Sequence, residues 1–278
     1  MCDSVVVVPE SGPVWFAKNS DREPTEAQFL ECHDGAERGA VPDGLPFASS
    51  PQRLLLSRPA WMWGCEMGVN EHGVAIGNEA VFTRVRVPKA GYTGMDFQRA
   101  ALTTCENAAD ALEQLIELTE SVVQGGPMAH RHRSFRYHSS FIVADREAAW
   151  VFETAGKYWA AKRVRGVATI SNALTIGGDF DRVHADAYEY ARKRGWAKSA
   201  DEFSFAGAFS DPFMSLMAGA RVRRACTRRS LEGIREPVAR DFVRALSDHG
   251  STEPGKGLRS ESPCAHAAWL PTKTSAQT

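Results

Sequence analysis

A chain of 278 residues, 43% hydrophobic and 24% charged, with a formal net charge of -1, has the composition of an ordinary globular protein. At about 150 residues per domain the length lies between one and two domains; it is read as one domain over residues 1–278, long enough to bury a core without disulfides or metal. Near-neutral charge gives no electrostatic case for nucleic acid or an anionic membrane as partner. No apolar run reaches the roughly 18 residues of a membrane span, and the N-terminus lacks the basic region and apolar stretch of a signal peptide, so a cytoplasmic location is expected.

The first third alternates β-branched runs with turn residues. Val5 to Val8 and Val14 to Ala17, joined at Gly12-Pro13, form a hairpin; Arg53 to Ser57, Gly64 to Val69 and Val74 to Ile76 continue the strands, the last two turning through Asn70-Glu71-His72-Gly73. From Gly94 to Thr119 the period becomes helical, with a restart near Glu106-Asn107. After the break at Gln124-Gly125-Gly126-Pro127 a basic, histidine-rich loop runs from His130 to His138. Phe141 to Ala144, Ala149 to Glu153, Tyr158 to Arg163 and Ala168 to Ser171 read as an antiparallel meander. Phe180 to Arg194, Pro212 to Leu231 and Pro237 to Ser247 read as helices, two opening on proline. Ser251 to Gly257 is loop-like, and no obvious element closes the chain at Thr278. Strands, helices, strands and helices in blocks point to an α+β layer structure.

The six cysteines, at 2, 32, 65, 105, 226 and 264, are never paired as C-x-x-C or grouped with histidines at zinc-finger spacing. They read as reduced thiols, and five of them need no explanation beyond packing. Cys2 is different. Removal of Met1 would leave a residue carrying both a thiol and a free α-amine, whose pKa near ~7.7 suits a general base. Nucleophile and base would then share one residue. The alternative is a chance cysteine on a first strand.

Cys2-Asp3-Ser4 is followed after one hairpin by Phe16-Ala17-Lys18-Asn19-Ser20-Asp21-Arg22. Further blocks are Trp61-Met62-Trp63-Gly64 leading to Gly77-Asn78-Glu79-Ala80-Val81-Phe82-Thr83, Tyr137-His138 before Phe141-Ile142-Val143-Ala144-Asp145, and Glu153-Thr154-Ala155-Gly156 running to Ile170-Ser171-Asn172-Ala173-Leu174-Thr175-Ile176-Gly177. In this order the blocks resemble those of the secernins and the cysteine dipeptidases of peptidase family C69, within the N-terminal nucleophile (Ntn) hydrolase superfamily. The likeness covers roughly residues 2 to 182 and thins afterwards to the helical pattern and Cys264-Ala265-His266-Ala267.

The resemblance implies an αββα sandwich, two antiparallel sheets between helical layers. The chain looks short relative to such relatives, so the sandwich is expected to be incomplete at its C-terminus, with an exposed strand edge that invites association. It also implies that Cys2 becomes the mature N-terminus and attacks an amide carbonyl, giving an acyl-enzyme that water hydrolyses. Asp21 is similar to the carboxylate that orients the α-amine, and Asn78 and Asn172 to the active-site asparagines of the related choloylglycine hydrolase branch, the first at the oxyanion hole. Arg221 is the favoured counterpart of that branch's site arginine, against a solvated helix face as the plainer reading.

From the residues themselves, Lys18 lies one strand away from Cys2 and can lower the thiol pKa. Arg22 can bind a substrate carboxylate through its planar fork, or pair with an acid. His138, with its loop, is read as bordering the cleft. The spacing of His130, His132 and His138 does not match a metal motif, so neither metal nor cofactor is expected. The expected activity is hydrolysis of dipeptides or short peptides, with a small peptide as partner and homo-oligomerisation left open. The alternatives are a choloylglycine-hydrolase-like or penicillin-acylase-like amidase, and a secernin-like regulatory or binding protein in which Cys2 is idle.

Overall fold

The computed structural model describes residues 2–34, 41–46, 52–250, 261–266 and 273–277. In chain order the strands are β1 (Asp3–Val8), β2 (Trp15–Arg22), β3 (Gln28–His33), β4 (Leu54–Pro59), β5 (Met67–Asn70), β6 (Ala75–Val81), β7 (His138–Ala144), β8 (Ala149–Ala155), β9 (Tyr158–Arg163), β10 (Gly166–Ile170), β11 (Arg182–Val183) and β12 (Lys273–Gln277). The helices are α1 (Gly94–Thr104), α2 (Ala108–Ser121), α3 (Ala187–Lys193), α4 (Phe205–Phe209), α5 (Pro212–Met217), α6 (Ala220–Leu231) and α7 (Ala239–Leu246). The strands form a smaller sheet of order β10-β1-β2-β12 and a larger one of order β11-β9-β8-β7-β6-β5-β4-β3. All of the named strand pairings are antiparallel.

The valine run of β1 shows why the layers stack. Side chains alternate across a strand, so Val5 and Val7 pack with Leu231, Phe242 and Leu246 of α6 and α7. Val6 faces the opposite way, into a cluster with Ile142, Ala144 and Val151 of the larger sheet. A strand buried on both faces reads as an unbroken apolar run. β7 repeats the logic in the other sheet: Phe141 and Val143 pack with Phe97, Leu102, Leu112 and Leu115 of α1 and α2, while Ile142 and Ala144 turn towards β1. The result is the αββα sandwich that the resemblance implies, with α1 and α2 outside one sheet and α6 and α7 outside the other.

The helical pair after Gly94 is punctuated as expected. Thr93 and Asp96 make a reciprocal capping box at the start of α1, and Asn107 caps α2 through the Asp110 amide. The helix expected over Pro212 to Leu231 is two helices, because Gly219 takes a left-handed conformation, φ 63°, between α5 and α6. The one expected over Phe180 to Arg194 gives its first part to β11, which pairs with β9, and keeps α3. The loop expected over Ser251 to Gly257 lies outside the described residues. Of the five cysteines assigned to packing, Cys65, Cys105 and Cys226 are buried, whereas Cys32 is exposed and Cys264 half-buried. A closing element does exist: β12 pairs with β2 along Arg22 to Asn19, with an irregularity between Thr274 and Ala276. Among the described residues no helix is long and apolar enough to cross a membrane.

Candidate active site

The register of the smaller sheet sets Asp3 opposite Asn19 and Ser4 opposite Lys18, so the start of β1 and the second half of β2 share one buried polar patch. Every residue from Lys18 to Arg22 is buried, as are Cys2, Asp3 and Ser4. Charges enter a core only when they are paired and hydrogen-bonded, and the pairing here accounts for most of the polar residues between the sheets.

Cys2 is held from both sides. Its main-chain nitrogen donates to Asn172 Oδ1 at 3.0 Å, and its carbonyl accepts from Arg223 Nη1 at 3.1 Å. Its sulfur accepts from the Asp21 amide at 3.2 Å and lies 3.9 Å from Glu66 Oε2. In the chain that carries Met1, burial pushes the thiol pKa up to about 12, against the opposing pull of the Lys18 ammonium.

Lys18 is fully buried. Its Nζ donates to Asn19 O at 3.2 Å and to Glu79 Oε1 at 3.3 Å, and stands 3.8 Å from Glu66 Oε2. Burial works against this ammonium, but the facing Cys2, Glu79 and Glu66 outweigh it and hold its pKa above the ordinary value. Glu79, adjacent to Asn78 on β6, has its pKa raised to about 8, chiefly by burial, even though Lys18 opposes the shift. Neither Glu66 nor Glu79 was singled out from the sequence. Glu79 stands inside one of the motif blocks, and its signal is strand alternation: if Asn78 faces the helices, Glu79 faces the other sheet. Glu66 lies just after Gly64, where the quoted block ends, and no local pattern marks it.

Asp21 sits next to the sulfur through its amide, and its Oδ1 accepts from Thr274 Oγ1 at 2.8 Å. Its carboxyl is pushed above the usual carboxylate range by burial. Asn172 also anchors itself, donating from Nδ2 to Ala80 O at 2.9 Å. Asn78 lines the same cavity as Cys2 and Asn172. Its Nδ2 is parked on the Met95 thioether at 3.1 Å, a weak acceptor that a developing oxyanion can displace at small cost.

Three expected positions differ. Arg221 is exposed; the arginine at the site is Arg223, fully buried, which bonds Cys2 O, Asp3 Oδ2 and Asn172 Oδ1. Two helical residues rotate a side chain by about 200°, so on α6 the buried phase runs through Ala220, Arg223, Cys226, Thr227 and Leu231 and leaves Arg221 outside. That periodicity was the available signal. Arg22 spends its fork on Glu26, at 3.1 and 2.7 Å, and its remaining nitrogen on Glu66 at 3.0 Å, so it pairs with acids and presents no free fork to a substrate carboxylate. His138 opens β7 fully buried, its Nδ1 2.8 Å from Thr83 Oγ1; burial lowers its pKa from 6.5 to about 4. The histidine of that loop which lines the cavity is His132.

The cavity above Cys2 has a volume of about 320 Å³. Its polar floor is Cys2, Asp21, Glu66, Asn78 and Asn172, and its walls are largely apolar, with Phe82, Phe135, Tyr137, Met128, Met214 and Met217. A second cavity, of about 350 Å³, lies beside Trp15, Leu30 and Leu55, with Ser57 and Asp145 among its lining residues.

The family model described as acyl-coenzyme A:6-aminopenicillanic acid acyl-transferase matches residues 7–170. The chain belongs to this family. Its superfamily is the one implied by the sequence motifs. Solved structures similar to this acyl-transferase family member include penicillin V acylase from Agrobacterium tumefaciens, at 15% identity and TM-score 0.42, with 63% of this chain and 53% of that one covered. The chain thus spans about half the length of that acylase. A Caenorhabditis elegans ortholog of N-acylethanolamine-hydrolyzing acid amidase is 11% identical, with TM-score 0.49 and coverage of 88% and 86%. A mutant of the conjugated bile acid hydrolase from Clostridium perfringens is 11% identical, with TM-score 0.47 and coverage of 89% and 78%.

Proposed function

We propose that the chain is an amide hydrolase or acyl transferase that uses Cys2 as an N-terminal nucleophile and takes an apolar acyl group. The observation that carries this reading is the placement of one residue: the main-chain nitrogen of Cys2 is held by Asn172, while its sulfur sits on the floor of the apolar-walled cavity.

With Met1 removed, that nitrogen is an amine and takes the thiol proton. The thiolate attacks the amide carbonyl, and the negative charge that develops on the carbonyl oxygen is met by the Asn78 side chain, worth about 3 kcal/mol for a well-aimed donor. The C–N bond breaks, the leaving amine takes the proton back from the α-ammonium, and a thioester remains on Cys2. Water, deprotonated by the same amine, attacks the thioester and releases the acid; an acceptor amine in place of water gives acyl transfer. Lys18 favours the thiolate electrostatically, and Asp21, Asn172 and Arg223 hold the residue in place.

A dipeptide with an apolar first residue is the second reading. Glu66 Oε2, 3.9 Å from the sulfur, stands where an α-ammonium adjacent to the scissile carbonyl would fall. Against it, Lys18, Arg22 and Arg223, the buried cations around Cys2, are all engaged by carboxylates, so a dipeptide's carboxylate finds no spare partner among them. The test is a panel of penicillin V, N-acylethanolamines, conjugated bile acids and apolar dipeptides, with Met1-free protein and Cys2→Ala. Turnover of an apolar N-acyl substrate, with a mass adduct of the acyl group on Cys2, is expected. Turnover of dipeptides alone would move the assignment to a dipeptidase. No turnover and no adduct on any of them would leave a binding protein with an idle cysteine, the secernin-like alternative.

A further inference from the structure

A second cluster of reactive side chains lies away from the cavity. His249 follows α7 closely, and Cys264 and His266 sit two residues apart in the 261–266 segment. The Nε2 atoms of His249 and His266 are 2.8 Å apart, Cys264 Sγ is 3.6 Å from His266 Nε2, and the three donor atoms all lie within 4.8 Å of one another. The expectation of no metal rested on spacing along the chain; this grouping is made by the fold.

His266 Nε2 faces a ring nitrogen and a sulfur at once, with one proton or one lone pair to offer. As a hydrogen-bonding group it satisfies one of them. A cation between the three satisfies all, and two imidazoles with a thiolate are a donor set for zinc and its transition-metal neighbours, not for magnesium or calcium. Tetrahedral zinc, with Zn–N near 2.05 Å and Zn–S near 2.3 Å, places N and S about 3.6 Å apart and the two nitrogens about 3.4 Å apart. The first separation is the one present between Cys264 and His266, and His249 lies within 4.8 Å of the sulfur. The second requires the histidine pair to open by about half an ångström, which the exposed His266 ring allows.

We propose that His249, Cys264 and His266 form a transition-metal site, with zinc(II) its preferred occupant and water in the fourth position. Binding exchanges the Cys264 thiol proton for the metal and releases that proton to solvent; nothing is oxidised or reduced. The backbone holds the ligands ready. The Cys264 amide donates to Asp248 O at 3.2 Å, and Asn19 Nδ2 bridges Leu246 O at 2.8 Å and Pro263 O at 3.0 Å, tying both ligand-bearing stretches to β2. The Ala265 amide donates to Thr274 Oγ1 at 2.9 Å, and that hydroxyl donates to Asp21. The metal is thus a clamp on the segment that steadies Asp21, and takes no part in the reaction.

The experiment titrates the metal-free full chain with zinc chloride alone and follows stoichiometry by native mass spectrometry and stability by thermal melting. One zinc per chain and a rise in Tm are expected. Cys264→Ser and His266→Gln should each weaken binding at least about tenfold, with Cys32→Ser, at an exposed thiol outside the cluster, unchanged. Cobalt(II) should give a thiolate charge-transfer band that Cys264→Ser abolishes. His266→Gln alters an exposed ring, and its melt without zinc separates lost binding from lost fold. Absence of stoichiometric zinc in the wild type, or undiminished binding by both variants, overturns the proposal.

Discussion

Arg223 donates to the same Oδ1 of Asn172 that receives the main-chain N–H of Cys2. One amide oxygen therefore couples α6 to Cys2, and the coupling depends on a guanidinium that is buried together with its partner, Asp3.

Replacing Arg223 with methionine leaves the Asp3 carboxylate buried without its cation. Breaking a buried pair from one side costs about 3–5 kcal/mol, and Asp3, whose pKa burial already raises to about 6 with Arg223 opposing, is pushed further up. Arg221→Ala, on the solvent face of the same helix, should change stability by no more than about 0.5 kcal/mol. Urea unfolding of the two variants side by side checks the pair; equal losses would put the wrong arginine at the site.

The thiols should react in an order set by exposure and local charge. While Met1 is present, Cys2, Cys65 and Cys105 all have pKa values pushed up to about 12, mainly by burial, so exposed Cys32 is alkylated first at neutral pH. Once Met1 is removed, the adjacent amine serves as base and Cys2 moves ahead of Cys32. A time course read by peptide mass spectrometry gives both orders. If the Cys2 rate is the same with and without Met1, the shared nucleophile-and-base role is lost.

His138 supplies an acid-sensitive element of stability. Its folded pKa of about 4 lies below the ordinary 6.5, so the unfolded chain takes up the proton first as pH falls. The stabilisation is complete above about 6.5 and is lost between there and pH 4, amounting to about 3 kcal/mol. Asp3, with its raised pKa, acts with the opposite sign over part of this range. The comparison is therefore between wild type and His138→Gln: the wild type should lose about 3 kcal/mol more than the variant from pH 7 to pH 4. Parallel stability curves would place the titrating group elsewhere.

Much of the architecture was legible because it rests on local periodicity. The apolar spacing around Phe97, Leu102, Leu112 and Leu115 predicts two helices with a restart near Asn107, and α1 and α2 follow. What escaped is what local sequence does not encode. β3 carries Phe29 and Leu30 side by side, both exposed, so no alternation announces it. β12, Lys-Thr-Ser-Ala-Gln, has no apolar pattern and is a strand because β2 offers it a free edge. α4 is five residues long, too short for a helical period to register. At the site, Cys2, Lys18, Asp21, Asn78 and Asn172 converge from four separate motif blocks, whereas Arg223 was missed by two residues because the phase of α6 depends on where Gly219 breaks the preceding helix.

The partners of Cys2 also carry a timing. Asn172 is 170 positions further along the chain, and Arg223 is 221. At synthesis rates of roughly 5–20 residues per second, the cysteine waits about 10 to 45 s before that arginine has even been polymerised. A thiol already activated over that interval would be open to stray acylation and oxidation. In the reaction proposed above, a nucleophile at residue 2 whose holders come from residues 172 and 223 is armed only after most of the scaffold is built.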